Sequence, residues 1–199
     1  MKIISNTFKA IIFFGLAFTL ANCSNDDADA PSVPIVYTEQ NPLEGYLAVS
    51  GFNQSGSYFI DGGNVEIGFS FFPTVTGRIN AITAKIPGNR NGMRVTIWDK
   101  LTGTIIRTEH IDVTAGTMAT KSIYPLPLVK NKEYIISCNT DDWYDHRRSN
   151  NSSVTYPLAI DDISITGSYY LTTAAQTIPT IYSNSYYTGD ISFVFQRTE

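Results

Sequence analysis

The chain has 199 residues, with 18 acidic against 14 basic side chains, a formal charge of −4, two cysteines and two histidines. That balance argues against a nucleic-acid partner, which needs a clustered basic face. The one basic pair, Arg147-Arg148, is flanked by Asp141, Asp142 and Asp145. Two cysteines cannot supply a Cys-rich zinc site.

The first element is a leader over residues 1–22. Lys2 and Lys9 precede the apolar run Ala10–Leu20, the layout of a secretory signal. The run falls short of the roughly 20 apolar residues of a spanning helix. Leu20-Ala21-Asn22-Cys23 resembles the recognition box of a bacterial lipoprotein signal, an aliphatic residue and two small ones before cysteine. The resemblance implies that the Cys23 thiol takes a diacylglyceryl group and that its freed amino group takes a further acyl chain. Stable anchoring needs more than one chain, and a triacylated cysteine meets that condition. Ser24-Asn25-Asp26-Asp27 resembles the Ser-plus-acidic signal that sends lipoproteins of Bacteroidetes-type bacteria to the outer face of the outer membrane. Loss of Lys2 and Lys9 with the leader leaves 12 basic against 18 acidic side chains, a charge of −6.

Residues 23–44 read as a tether punctuated by Pro31, Pro34 and Pro42. Proline fixes φ and removes a donor, so such a stretch is extended and partly stiff.

Residues 45–199 read as β throughout. Val65, Ile67, Phe69 and Phe71 alternate with other residues, as do Met93, Val95 and Ile97, then Tyr134, Ile136 and Cys138. Ile163 and Ile165 continue the pattern, and Ile191, Phe193 and Phe195 close it. Period-two alternation puts each set on one face of a half-buried sheet. Turn signals separate the runs at Asp61-Gly62-Gly63-Asn64, Pro87-Gly88-Asn89, Thr102-Gly103, Asn131-Lys132 and Thr188-Gly189. No amphipathic helix is expected. The reading is an all-β chain folded as a single antiparallel, jelly-roll-like β-sandwich. Trp98 is expected on a sheet face or in the core, and Cys138 in a strand and in the core as a small apolar residue.

Four segments then match a known pattern. Gly68–Ile82 carries a strand ending in Phe-Phe-Pro, a Gly77 turn and a second strand. Val95-Thr96-Ile97-Trp98-Asp99 is followed by Gly103-Thr104-Ile105-Ile106, then by Pro127–Ser137 and by Tyr186–Phe195. In this order and spacing, residues 44–197 resemble the bacterial family called domain of unknown function 4082. The resemblance implies a jelly-roll-like sandwich in a secreted bacterial protein, similar to carbohydrate-binding modules, and no established activity.

No catalytic constellation is expected. His110 and His146 are the only histidines, no Gly-x-Ser-x-Gly elbow is present, and the Glu-x-Asp-x-Glu strand of sandwich glycosidases is missing. The favoured site is a polar loop over Asn139–Arg148. There Trp143 and Tyr144 would present ring faces to a sugar, while Asp141, Asp142, Asp145 and Arg147 would bond its hydroxyls. Tyr169-Tyr170 and Tyr186-Tyr187 are weaker candidates; one ring of each pair is expected to face the core. No cofactor is expected. A structural calcium on Asp141, Asp142 and Asp145 is weighed against an acidic loop paired with Arg147 and Arg148, and the loop is preferred. The expected partners are the membrane, through Cys23, and a surface polysaccharide. The alternative is a structural or adhesive protein that contacts another protein without a sugar site.

Overall fold

The computed structural model describes residues 35–199, so the leader, Cys23 and most of the tether lie outside the described residues. Among the described residues the chain forms one helix, α1 (Pro42–Ser50), and thirteen strands. These are β1 (Gln54–Phe59), β2 (Val65–Pro73), β3 (Gly77–Lys85), β4 (Arg90–Asp99), β5 (Ile105–Val113), β6 (Ala119–Leu128) and β7 (Tyr134–Thr140). They continue as β8 (Asp142–Arg147), β9 (Leu158–Ile160), β10 (Ile163–Thr172), β11 (Ile181–Ser183), β12 (Tyr186–Thr188) and β13 (Asp190–Arg197). No described helix is long and apolar enough to cross a membrane.

The fold is an antiparallel β-sandwich. One layer is a seven-stranded sheet in the order β11-β10-β2-β7-β4-β5, with β9 pairing β10 beside β11. Against it lie two three-stranded sheets, β13-β3-β6 and β1-β8-β12. The chain steps from β12 to β13 through Gly189, whose φ of 84° lies in the left-handed region. A Cβ there would sit 2.6 Å from Cδ1 of Ile67. Both facts call for glycine.

The alternating residues build the core as expected. Val65, Ile67, Phe69 and Phe71 of β2 are buried together with Met93, Val95, Ile97, Tyr134, Ile136, Cys138, Ile163, Ile165, Ile191, Phe193 and Phe195. Phe71 and Phe193 meet across the layers at 4.4 Å between ring centroids. Burial pushes the pKa of Cys138 well up, which keeps the thiol protonated and inert.

Burial goes further than one face predicts. Glu66 and Ser70 point away from the core yet are also buried, as is Trp98. The segment 173–180 crosses this outer face. Gln176 donates to Thr96 and Thr108 at 3.0 and 2.7 Å, and Asn139 donates to the Thr173 carbonyl at 2.9 Å. Beneath it, Glu66 accepts from Ser137 at 3.0 Å and pairs with Arg94, while Trp98 donates to Ser137 at 2.9 Å.

Two expectations are corrected. First, residues 40–44 belong to the folded domain rather than the tether. Gln40 bridges to Phe195, and α1 packs on β9 and β13, with Gly45 close to Ile160 and with Leu43 and Tyr46 buried. The Asn41 side chain caps the first turn, accepting from the Leu43 amide at 3.1 Å, and Pro42 opens the helix where its missing N–H costs nothing. Second, Asn139–Arg148 is not a loop. β7 runs to Thr140, and β8 follows after a single residue.

Candidate functional site

β8 is the middle strand of its sheet. Its register places Trp143 opposite Tyr58, Asp145 opposite Gly56, and Arg147 opposite Gln54 on β1. On the other side Thr188 faces Asp145 and Tyr186 faces Arg147. Residues two apart on a strand share a face, so Trp143, Asp145 and Arg147 form one wall with their cross-strand neighbours. That wall stands over Val65 and Ile67 of β2 and Tyr170 and Thr172 of β10, enclosing a cleft of about 220 Å³.

The cleft has distinct parts. Tyr58 and Trp143 stack with planes 16° apart and centroids 6.4 Å apart. Trp143 is half-buried against the core, whereas Tyr58 is half exposed. Ile60, Val65 and Ile67 give an apolar floor. Arg147 binds Asp145 through two guanidinium nitrogens, Nε at 3.0 Å, and its Nη2 donates to the Tyr58 hydroxyl at 3.4 Å. The Asp145 carboxylate beside it raises the Arg147 pKa. Burial, with the Tyr170 phenol next in effect, pushes Tyr186 up to about 12, so its hydroxyl stays a donor. Thr188 is 93% buried, and its Oγ1 has no hydrogen-bond partner among the described residues.

Three of the six candidates meet in this cleft: Trp143, Asp145 and Arg147. The other three do not. Tyr144 lies on the opposite face of β8, with the Lys85 ammonium 5.0 Å from its ring centre. Asp141 pairs with Arg90 at 3.0 Å, and Asp142 accepts from the Gly88 amide at 2.6 Å. With its acids dispersed in this way, the segment offers no calcium cage; no group of three His, Cys, Asp or Glu side chains among the described residues could hold a metal ion. Arg147 does pair with Asp145. Arg148 instead donates to the carbonyls of Ser50 and Ser153, at 2.7 and 2.8 Å. His146 turns inward with Tyr144's face, its Nε2 2.5 Å from Asp190, and stacks on the buried Tyr187.

The tyrosine pairs divide. Tyr170 and Tyr186 line the cleft, 6.1 Å apart. Tyr187 enters the core, and of Tyr169-Tyr170 it is Tyr170 that packs against it, partly buried. Tyr169 lies under Lys100 and against Tyr182 on the outer face. Sequence reading missed Tyr58, Ile60, Thr172 and Thr188. Strand register brings Tyr58 and Thr188 to β8, Ile60 follows β1 and Thr172 comes from the facing sheet, and no local motif carries that information.

The family model for Domain of unknown function (DUF4082) matches residues 53–188. The chain belongs to this family. No curated protein matches it. The DUF4082 match takes in every side chain that lines the cleft, while α1 and β13 lie outside it.

Proposed function

We propose that the DUF4082 domain of this chain is a non-catalytic glycan-binding module, carried on a lipid-anchored protein at the outer face of the outer membrane. One observation carries the binding reading: the Tyr58–Trp143 stack shares a wall with Asp145 and Arg147. A pyranose has an apolar C–H face and a rim of hydroxyls. The rings and the isoleucine floor suit the face; the polar groups suit the rim. The cleft is smaller than the roughly 300–1,000 Å³ of drug-sized sites, which fits a single sugar ring. About −0.3 kcal/mol per heavy atom over the dozen of a hexose gives about −4 kcal/mol, a Kd near 1 mM. Weak single-ring binding suits a surface protein that meets many copies of a polymer.

The anchor reading rests on Cys23 and its flanks. Sixteen residues lie between Cys23 and Gln40, where the chain joins the sandwich. At full extension they reach about 60 Å.

Affinity electrophoresis of the full-length chain against a polysaccharide panel tests the binding. Retardation is expected with at least one polysaccharide and is lost with Trp143→Ala. Labelling cells with an alkyne fatty acid tests the anchor, which Cys23→Ser removes. A second reading, contact with another protein, is favoured by β1. It is an edge strand exposed along its length, without charge or proline, and Phe59 at its end is 69% exposed. Absence of retardation on every polysaccharide turns the choice to that reading.

A further inference from the structure

Beside the cleft is a second depression of about 230 Å³, lined by Gln54, Ser55, Gly56, Tyr58, Asp145 and Arg147. Its volume nearly equals that of the first, and the two share Tyr58, Asp145 and Arg147. The contact from Arg147 to the Tyr58 hydroxyl, at 3.4 Å, belongs to the wall common to both. Gly56 keeps the second depression open. It sits mid-strand on β1, opposite Asp145, where a β-branched residue would pair better. A Cβ there would meet only the Tyr58 ring, at 3.5 Å, an ordinary contact, and its φ is not in the left-handed region. Neither backbone nor packing requires glycine here. A strand-interior glycine often marks a bulge, a bend or the close approach of a ligand or another backbone, and the β1–β8 register runs through Gly56 without a bulge.

We propose that the second depression is a second ring subsite, so that the domain takes at least a disaccharide of a neutral glycan, with the linkage over the Tyr58–Arg147 contact. This rests on the glycan reading of the first cleft. The two subsites differ in chemistry. The first stacks a ring on Tyr58 and Trp143 above Ile60, Val65 and Ile67. The second offers the Gln54 amide and open backbone at Ser55 and Gly56 to the hydroxyls of the next ring. The only cation shared by both is Arg147, and Asp145 already neutralises it through two hydrogen bonds. A carboxylated sugar would have to compete with that pair, whereas a neutral one bonds to it as it stands.

The test is a printed array of oligomers one to four units long. Gluco-, manno-, galacto- and xylo-series stand beside galacturonate and mannuronate, probed with the full-length chain, Gly56→Val, Gly56→Ala and Trp143→Ala. In at least one neutral series the wild-type dimer is expected to bind at least tenfold tighter than its monomer. Gly56→Val brings that ratio close to one, Gly56→Ala lowers it part-way, and Trp143→Ala weakens monomer and dimer alike. Circular dichroism melts confirm that the Gly56 variants fold. Equal wild-type binding of monomer and dimer overturns the second subsite and leaves the first cleft standing. An unchanged ratio in Gly56→Val does the same. Tighter binding of a uronate series overturns the neutral-glycan assignment. No binding of any oligomer overturns the glycan reading itself.

Discussion

Thr188 and Asp145 lie opposite each other across β12 and β8, both buried, and only Asp145 is engaged by a partner within the described protein. A buried hydroxyl without a partner costs about 1–3 kcal/mol. Thr188→Val keeps the shape and removes the hydroxyl, so the variant should be as stable as the wild type or more so. The Thr188 Oγ1 is covered by protein, so glycan affinity should change little. Thermal melts and affinity electrophoresis on the same samples separate the two. A fall in affinity with unchanged stability would mean that Thr188 turns its hydroxyl into the cleft when a ligand binds.

The two stacked rings differ in what they do for the fold. Trp143 packs against the core, so Trp143→Ala should cost about 1–3 kcal/mol in urea unfolding as well as binding. Tyr58 is half exposed on an edge strand, and Tyr58→Ala should cost about 1 kcal/mol or less. If the stack is the sugar platform, Tyr58→Ala loses retardation on polysaccharide gels while its urea midpoint barely moves. A Tyr58→Ala variant that still binds would place the platform elsewhere.

These residues also mark how far the sequence could be read. The β2 alternation of Val65, Ile67, Phe69 and Phe71 was legible because one face is uniformly apolar, and the same holds for Ile191, Phe193 and Phe195 of β13. β8 was not legible, because Asp, His and Arg mix with aromatic residues on both faces and hide the period. Its alternation nonetheless fixes the site: Trp143, Asp145 and Arg147 share one face, while Tyr144 and His146 share the other. α1 escaped notice because nine residues bury only a short stripe, and Asn41-Pro42 resembles tether as much as a helix start. Tyr58 comes from 85 residues upstream of Trp143, a neighbour that register alone reveals.

Gly189 links the sheet of the cleft to the sheet behind it. Its amide donates to the Tyr144 carbonyl at 2.8 Å, and a Cβ added there would crowd Ile67, which lies in the cleft floor. An alanine there takes a left-handed φ, at about 1–2 kcal/mol, and must also displace the Ile67 side chain. Gly189→Ala should therefore destabilise the domain by about 2–4 kcal/mol in urea unfolding. A change below about 0.5 kcal/mol would mean that the β12–β13 step tolerates a side chain.

Two carboxylates should titrate on opposite sides of their ordinary values. Burial raises Glu66 above 4.5, although hydrogen bonds from Arg94 and Ser137 pull it back. Asp99 is lowered to about 2, first by its hydrogen bond with Lys132 and then by the Thr102 amide. Their effects on stability have opposite signs. Between pH 4.5 and its raised folded pKa, Glu66 binds more protons folded than unfolded, so its contribution is full below 4.5 and is lost as pH rises through the folded value. Asp99 binds fewer protons folded, so its contribution is present above about pH 4 and is lost as pH falls through about 2. Carbon-detected NMR of the two carboxyl groups should give a Glu66 midpoint above 4.5 and an Asp99 midpoint near 2. Urea midpoints should lose their Glu66-dependent decline above pH 4.5 in Glu66→Gln, and part of their acid-side decline in Lys132→Met. A Glu66 midpoint at or below 4.5 would mean that the hydrogen bonds from Arg94 and Ser137 outweigh burial under the segment 173–180.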